Sequence, residues 1–226
     1  MRFFIFLILI IGCHVTSWAN TAAPWVGKDF QGLPCQGAEM NYGPFDYTNQ
    51  QHRETKLPIV EKYHFKPEVE QLINSTAALN NLEYTLRAFP NHHRALSAVI
   101  RFYIRELKKS KSGTTISDIS RKFGKTPPEC HLQKAIKFSP KDGTVYTLLG
   151  IYTHRLNMLE EAEAAYKKGA QLSPKSSEAH YNYGLLLAQL KRYDDALTEA
   201  RIAYKLGYPL PGLKRRLQAA GYDLSK

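Results

Sequence analysis

The sequence predicts an all-α protein made of antiparallel helix pairs stacked side by side. Two similar segments, SPKDGTVYTLLGIY from Ser139 and SPKSSEAHYNYGLL from Ser173, begin 34 residues apart (173 − 139). Between them, the run LEEAEAAY (Leu159–Tyr166) consists almost entirely of strong helix formers. A period of this length indicates one helix pair per repeat, because a single pair cannot bury its apolar face and must stack on a neighbour.

The two segments share glycine, aromatic, alanine and proline residues in phase. Aligned on Gly150 and Gly184, the residues at the same or adjacent offsets are Tyr146, Leu149, Ala162, Tyr166, Ala170 and Pro174, then His180, Tyr183, Ala196, Ala200, Ala203 and Tyr208-Pro209. This pattern resembles the tetratricopeptide repeat (TPR), which reads W-x2-L-G-x2-Y, then A-x3-F, then P over about 34 residues. The resemblance implies a TPR-type α-solenoid, in which each glycine lets the two helices of a repeat approach closely.

The same spacing organises the rest of the helical domain, predicted over residues 66–226. Pro67 followed by Glu68 and Glu70 is typical of a helix start. We expect leading helices over 66–90, a repeat over 93–140 split by a polar loop insert at 108–128, repeats over 143–174 and 177–208, and a capping helix over 210–221.

Residues 20–65 are predicted to form an extended arm packed onto the helices. Four prolines (Pro24, Pro34, Pro44 and Pro58) disfavour helix, whereas the aromatic stretch YGPFDY is richer in rings than a disordered tail needs. YGPFDY and a second stretch, YTLRAFPNHHRAL, also resemble a group of secreted bacterial TPR proteins.

Residues 1–19, MRFFIFLILIIGCHVTSWA, are predicted to be a secretory signal peptide. Arg2 precedes nine apolar residues, too few for a membrane-spanning helix, and Ala19 marks a cleavage point. Alternatively, Ile10-Ile11-Gly12-Cys13 resembles a bacterial lipobox, in which Cys13 would be lipidated. Both interpretations predict export, to the periplasm or the medium in the first case and to a membrane anchor in the second.

Export determines how the cysteines are interpreted. Cleavage or lipidation leaves Cys35 and Cys130 as the ordinary thiols, and an even pair in an oxidising compartment indicates a disulfide. It would tie the arm to the helices. Two unpaired cysteines are the alternative, and the spacing matches no zinc pattern.

The chain carries 31 Lys and Arg against 20 Asp and Glu, a formal net charge of +11. Such an excess favours anionic partners, although a solvated basic surface has the same composition. Because the chain is predicted to be exported, we expect no nucleic-acid partner.

The sequence offers little sign of catalysis. It contains neither a GxxxxGK[ST] phosphate loop nor a GxSxG nucleophile elbow. Adjacent helical residues such as His92 and His93 point about 100° apart, so they are predicted to be structural. The sequence therefore predicts a protein that is not an enzyme and has no cofactor or metal; a metal or catalytic site at His92, His93 and His131 is the alternative.

The TPR resemblance implies a groove lined by the first helix of each repeat, which binds a peptide or a segment of another protein. Arg94 and Arg101 lie on one helical face and could hold a carboxylate, unless they form surface ion pairs. The groove positions that the resemblance implies are Arg94, Ser97, Arg101, Ile104, Thr144, Thr147, Ile151, His154, Glu178, Tyr181, Leu185 and Ala188.

Two functions follow from these observations. The first is an exported, non-enzymatic scaffold or adaptor that binds a protein or peptide in its concave groove, in cell-envelope assembly or secretion. The second is a protein tethered to an anionic membrane or cell-wall polymer through a lipidated Cys13 and a basic surface that includes Lys214, Arg215 and Arg216.

Overall fold

The computed structural model describes residues 23–38 and 42–224, so the predicted signal peptide and Cys13 lie outside the described residues. Over these ranges the chain is all-α, as predicted. Its twelve helices are α1 (Gln50–Thr55), α2 (Leu57–His64), α3 (Pro67–Glu70), α4 (Ser75–Ala88), α5 (His93–Lys109), α6 (Ile116–Phe123), α7 (Pro128–Phe138), α8 (Gly143–Arg155), α9 (Leu159–Leu172), α10 (Ser177–Gln189), α11 (Tyr193–Lys205) and α12 (Gly212–Ala219).

The two repeats found in the sequence form the helix pairs α8–α9 and α10–α11. Each first helix begins directly after the Ser-Pro-Lys motif, at a residue whose side chain caps it. The Asp142 carboxylate accepts from the Thr144 backbone N–H at 3.2 Å, and the Ser176 hydroxyl accepts from that of Ala179 at 3.2 Å. These bonds satisfy donors that the first turn of a helix leaves without an intrahelical partner.

The pairs stack in two layers. In one layer, the first helices α5, α8, α10 and α12 contact each other in succession, whereas α9 and α11 in the other layer do not approach to a similar extent. The row whose neighbours lie closer together is the inner, concave side of a curved stack. We call it the inner face.

Close helix packing depends on the two motif glycines. A Cβ at Gly150 would lie 2.5 Å from Cδ1 of Tyr166, so this ring lies directly on the glycine backbone. A Cβ at Gly184 would lie 2.6 Å from Cδ2 of Leu213 in α12. The first glycine therefore brings together the helices of one repeat, and the second admits the capping helix.

The arm differs from the extended segment predicted over 20–65, because residues 50–64 are mostly helical. The Asn49 side chain caps α1 by accepting from the His52 backbone N–H at 3.1 Å. Pro58 lies in the first turn of α2, where its missing N–H costs no hydrogen bond. Leu57 and Val60 are buried in a cluster with Phe89. This burial stabilises α2, although Pro58 is among the prolines predicted to disfavour a helix here.

The insert predicted as a loop over 108–128 also contains a helix, α6. Thr115 and Asp118 form a reciprocal capping box at its start, and Gly124 ends it in the left-handed conformation with φ 60°. Ile116 and Ile119 are buried in the main core with residues of α5. The insert is therefore an integral part of the fold.

The leading helices are shorter than the range 66–90 suggests. The first, α3, has only four residues, and Lys66 provides no side-chain cap for it. The second, α4, begins at Ser75, after Asn74 accepts from the Ala77 backbone N–H. Residues 71–74 between them are irregular, because Leu72 and Asn74 adopt the left-handed conformation with φ of 61° and 54°.

The disulfide predicted between Cys35 and Cys130 is present and joins the arm to α7. Trp25 lies edge-on to His131, with ring centroids 5.4 Å apart, and Phe30 stacks on Tyr152 at 5.7 Å. The Ser117 hydroxyl of α6 also donates to the Asp29 carboxylate at 2.7 Å, so residues 23–38 lie over α6, α7 and Tyr152 of α8. Farther along the arm, the Phe45 backbone N–H donates to the carbonyl of Ala88 at 2.8 Å, so the arm also closes the α4–α5 turn.

Candidate functional site on the inner face

The α5 end of the inner face is occupied by the chain itself. The Arg94 Nε donates to Oε1 of Glu70 at 3.0 Å, and Arg101 donates to the Glu70 carbonyl at 2.6 Å. Arg94 also pairs with Glu61 at 3.4 Å. The hydrogen bond from Arg94 holds the pKa of Glu70 below its usual value. The two guanidiniums predicted to hold a partner's carboxylate therefore bind this chain's own acidic residue.

Thr147 is buried and is not available to a partner. Its hydroxyl donates to the carbonyl of Gly143 at 3.1 Å, and a Cβ at Gly169 would lie 2.6 Å from Oγ1. The side chain packs between α8 and α9. The TPR position predicted to face the groove is here part of the helix contact, because Gly169 on α9 leaves room for the Thr147 side chain. Ser97, on α5, is half-buried.

Tyr181 is also covered. Its ring stacks on Tyr208 with centroids 4.0 Å apart, and a Cβ at Gly212 would lie 2.7 Å from its hydroxyl oxygen. The segment before α12 folds back over this part of α10 because it can bury two tyrosine rings against each other. The predicted groove is therefore closed at Tyr181.

The middle of the inner face remains open. Ile151 on α8 and Leu185 on α10 are half-buried, each with part of its side chain in the core. His154 joins α8 to α10 through a contact of 3.2 Å between its Nε2 and Oε1 of Gln189. Burial, supported by the charges of Arg155 and Arg216, lowers the pKa of His154. At neutral pH this histidine is uncharged, and it adds a polar group to the apolar surface formed by Ile151 and Leu185.

Two exposed arginines border the apolar surface formed by Ile151 and Leu185. Arg155 follows His154 at the end of α8, and Arg216 on α12 donates to the Leu185 carbonyl at 3.2 Å. From the sequence, Arg216 is predicted to lie on a basic surface that faces a membrane or wall polymer, and no pattern predicts a role for Arg155. The signal that could have found Arg216 is the capping helix itself, since α12 occupies the position of a further first helix.

We call this set the central strip: Ile151, His154, Arg155, Leu185, Gln189 and Arg216. It combines exposed apolar carbon atoms with two guanidiniums that present hydrogen-bond donors. Such a surface can contact the side chains of an extended or helical segment and hold its carboxylates or carbonyls. Of the residues predicted for the groove, only Ile151, His154 and Leu185 meet here.

Each of the three histidines considered for a metal or catalytic site contacts a different carboxylate. His92 contacts Glu61 at 3.2 Å, His93 contacts Asp142 at 2.8 Å, and His131 contacts Glu83 at 3.2 Å. Over residues 23–38 and 42–224, no group of three or more His, Cys, Asp or Glu side chains is arranged to hold a metal ion. Each contact instead joins two elements of the fold: α2 to the start of α5, α5 to the start of α8, and α4 to α7.

His92 makes stability depend on pH. It is fully buried, and its Nδ1 accepts from the Ala95 backbone N–H at 3.2 Å as the N-cap of α5. Burial lowers its pKa from 6.5, so the unfolded chain takes up a proton that the native chain does not. The stabilisation by neutral His92 is complete above pH 6.5 and is lost as the pH falls below that value.

We therefore expect the free energy of unfolding to decrease between about pH 7 and pH 5.5, by at most about 1.4 kcal/mol per pH unit from this residue. Denaturant unfolding at several pH values measures the slope. The matched variant His92→Asn retains a side chain suited to capping but cannot titrate, so its slope should be shallower. Equal slopes for both proteins would contradict the assignment.

The fold defines the class of protein: an all-α TPR-type solenoid, with an arm and a capping helix. The tetratricopeptide repeat family model matches residues 133–208. Among solved structures, the chain is similar to a thermophilic TPR protein from Thermus thermophilus, with a TM-score of 0.52 and 16% identity over 73% of this chain and 86% of that one. No curated protein matches the sequence. The chain thus contains TPR repeats within a solenoid of the same type.

No helix among the described residues is both long enough and apolar enough to cross a membrane.

Proposed function

We propose that this protein is an exported, non-enzymatic scaffold that binds a segment of another protein along the central strip. TPR solenoids are generally platforms for protein interaction, and the arrangement of α8, α10 and α12 supports that role here. The observation that carries the proposal is the juxtaposition of half-buried Ile151 and Leu185 with exposed Arg155 and Arg216 on the open part of the inner face.

The composition of the strip favours a segment with apolar and acidic side chains. Apolar anchors fill the spaces beside Ile151 and Leu185, whereas guanidiniums hold carboxylates in a fork geometry. The formal net charge of +11 attracts such a segment before contact is made. Residues 23–38 of the arm leave the strip accessible, because their ring contacts and hydrogen bonds to α6, α7 and Tyr152 lie elsewhere.

A role in envelope assembly or secretion follows from the predicted signal peptide. The Cys35–Cys130 disulfide supports export, since such bonds persist in oxidising compartments. With its arm tied to the repeats, the protein would present a rigid surface to a partner outside the cytoplasm.

Site-specific photo-crosslinking in the native host tests the proposal. A p-benzoylphenylalanine replacing Arg155 should yield a discrete crosslinked product with an envelope or secreted protein. In the same background, Leu185→Ser should reduce the yield about tenfold, because one buried apolar anchor contributes about 1–2 kcal/mol to such an interface. Mass spectrometry identifies the partner and its contact segment.

The control is the same photoreactive residue at Lys168, which is exposed on α9 in the outer layer. It should give none of the products obtained at position 155. Identical products at both positions, or a yield unaffected by Leu185→Ser in a protein with unchanged circular dichroism, would refute binding at the central strip.

The second candidate is tethering to an anionic membrane or wall polymer. It is favoured by the basic run Lys214-Arg215-Arg216, whose residues are all exposed on α12. Sedimentation with anionic vesicles that weakens steeply as salt is raised would support it, since screening shortens the range of these charges. No sedimentation at low salt would exclude it.

A further inference from the structure

A cavity of about 640 Å³ lies on a different part of the molecule, between the arm, α4 and the segment joining α6 to α7. Cavities of this size accommodate small molecules. Its walls include Pro34 and Gln36 of the arm, Arg87 of α4, and Lys125 and Thr126 after α6. Because residues distant in the sequence form it, the cavity exists only in the folded, arm-bound protein.

The carboxylates of Asp29 and Glu83 at this cavity are already engaged. Asp29 accepts from the backbone N–H groups of Gln31 and Leu33 at 2.9 and 2.8 Å and from the Ser117 hydroxyl at 2.7 Å. Glu83 accepts from the Thr126 backbone N–H at 3.0 Å and also contacts a histidine of α7. Burial raises the pKa of both carboxyls, but these bonds, and for Glu83 also the neighbouring His131, outweigh it, so both pKa values are lowered and both carboxylates are already engaged by groups of the protein.

The two arginines that line the cavity have fewer polar partners than these carboxylates. Arg121 pairs with Asp118 at 2.5 Å, whereas Arg87 lies over the ring of Tyr84, at 5.9 Å from the centroid. The Nε of Arg87 is buried and has no hydrogen-bond partner among the described residues. This buried atom is closed to a ligand, but Arg87 as a whole is half-buried and lines the cavity, so the rest of its guanidinium is the part that a ligand can contact.

Lys125 is held in place on the same cavity wall. Its carbonyl accepts from the Tyr103 hydroxyl at 3.2 Å and from the Ser120 hydroxyl, and the preceding Gly124 turns the chain sharply after α6. The backbone that carries its ammonium group is therefore fixed by the core. The charge of Lys125 acts on the carboxylate of Glu83, and this residue together with Arg87 contributes two cations to the cavity lining.

We propose that this cavity binds a small anion, with a carboxylate or phosphate group held by Arg87 and Lys125. The remaining volume and the amide side chains of Gln36 and Asn80, which also line it, suit a ligand that carries hydroxyl groups, such as an acidic sugar. The site does not depend on the central strip and does not require a protein partner.

The disulfide supports this site directly. Cys130 lines the cavity, and Cys35 lies between two other lining residues, Pro34 and Gln36. The arm wall is therefore covalently fixed to α7, and binding should weaken when the bond is reduced.

Titration of the oxidised protein, followed by NMR of backbone amides, tests the proposal. Glucuronate and inorganic phosphate are the probes, each at constant ionic strength, and neutral glucose is the comparison. At least one anion should shift the amide signals of Gln36, Lys125 and Thr126 saturably, and glucose should bind at least about tenfold more weakly. Saturation by both anions, or by one, would support the site and identify its preferred group.

Variants show whether these cations hold the anion. Arg87→Gln and Lys125→Gln should each weaken binding about tenfold, whereas Lys168→Gln on the distant α9 should leave it unchanged. Unfolding curves establish that each variant is folded. Absence of saturable shifts with either anion, or equal affinity in Arg87→Gln and the unmodified protein, would overturn the proposal.

Discussion

Replacing Tyr166 with alanine is expected to lower the free energy of unfolding by about 3–5 kcal/mol. The side chain is 2% exposed and fills the space beside Gly150, where a Cβ would meet its ring at 2.5 Å. The helices α8 and α9 are held together along their length, so they cannot close around the resulting cavity. Urea unfolding followed by circular dichroism measures the loss.

Two further variants show whether the effect comes from the ring. Tyr166→Phe removes only a hydroxyl that lies 3.4 Å from Nδ1 of His154, so its cost should stay below about 1.5 kcal/mol. Tyr63→Ala deletes a ring that is 59% exposed and should change stability by less than about 0.5 kcal/mol. If Tyr166→Ala were as mild as Tyr63→Ala, the contact with Gly150 would not stabilise the repeat.

Removing the disulfide should lower the free energy of unfolding by an amount comparable to that expected for Tyr166→Ala. The bond joins residues separated by 95 positions, and the loss of unfolded-chain entropy on closing so long a loop corresponds to about 4.7 kcal/mol in the chain-entropy account. The double variant Cys35→Ala/Cys130→Ala is therefore expected to be about 2–4 kcal/mol less stable than the oxidised protein. Denaturant unfolding under non-reducing conditions measures the difference.

Reductant provides the matched comparison. It should destabilise the unmodified protein to about the level of the double variant and leave the variant unchanged. Limited proteolysis should then cut within residues 23–38, because those residues lose their covalent attachment to α7. A double variant as stable as the oxidised protein would mean that the arm is held by its other contacts, such as that of Trp25 with His131.

Much of the fold could be predicted because TPR packing depends on small and large residues at fixed spacing. Gly150 and Tyr166 lie 16 positions apart (166 − 150) and meet across α8 and α9. Prediction failed where local signals competed. The prolines suggested an extended arm, but Pro58 fits the first turn of α2, and the T-x-x-D capping box of α6 lay in a segment otherwise rich in loop residues.

The candidate site was less predictable for a different reason. The repeat pattern shows which positions of a first helix face inward, but not what other segments cover them. Glu70 occupies Arg94 and Arg101, and Tyr208 covers Tyr181, because distant parts of the chain bury charge and aromatic area there. Arg216 joins the strip only because α12 packs beside α10.

The sequence by itself determined the helix pairs, their 34-residue period and the cysteine pair, because these depend on local spacing and on residue type. Only the tertiary structure decided which part of the inner face stays open and where a cavity forms. Both result from contacts between segments far apart in the chain, such as Arg94 with Glu70 and Thr126 with Glu83. Such contacts depend on burial and charge in three dimensions, which a one-dimensional pattern does not specify.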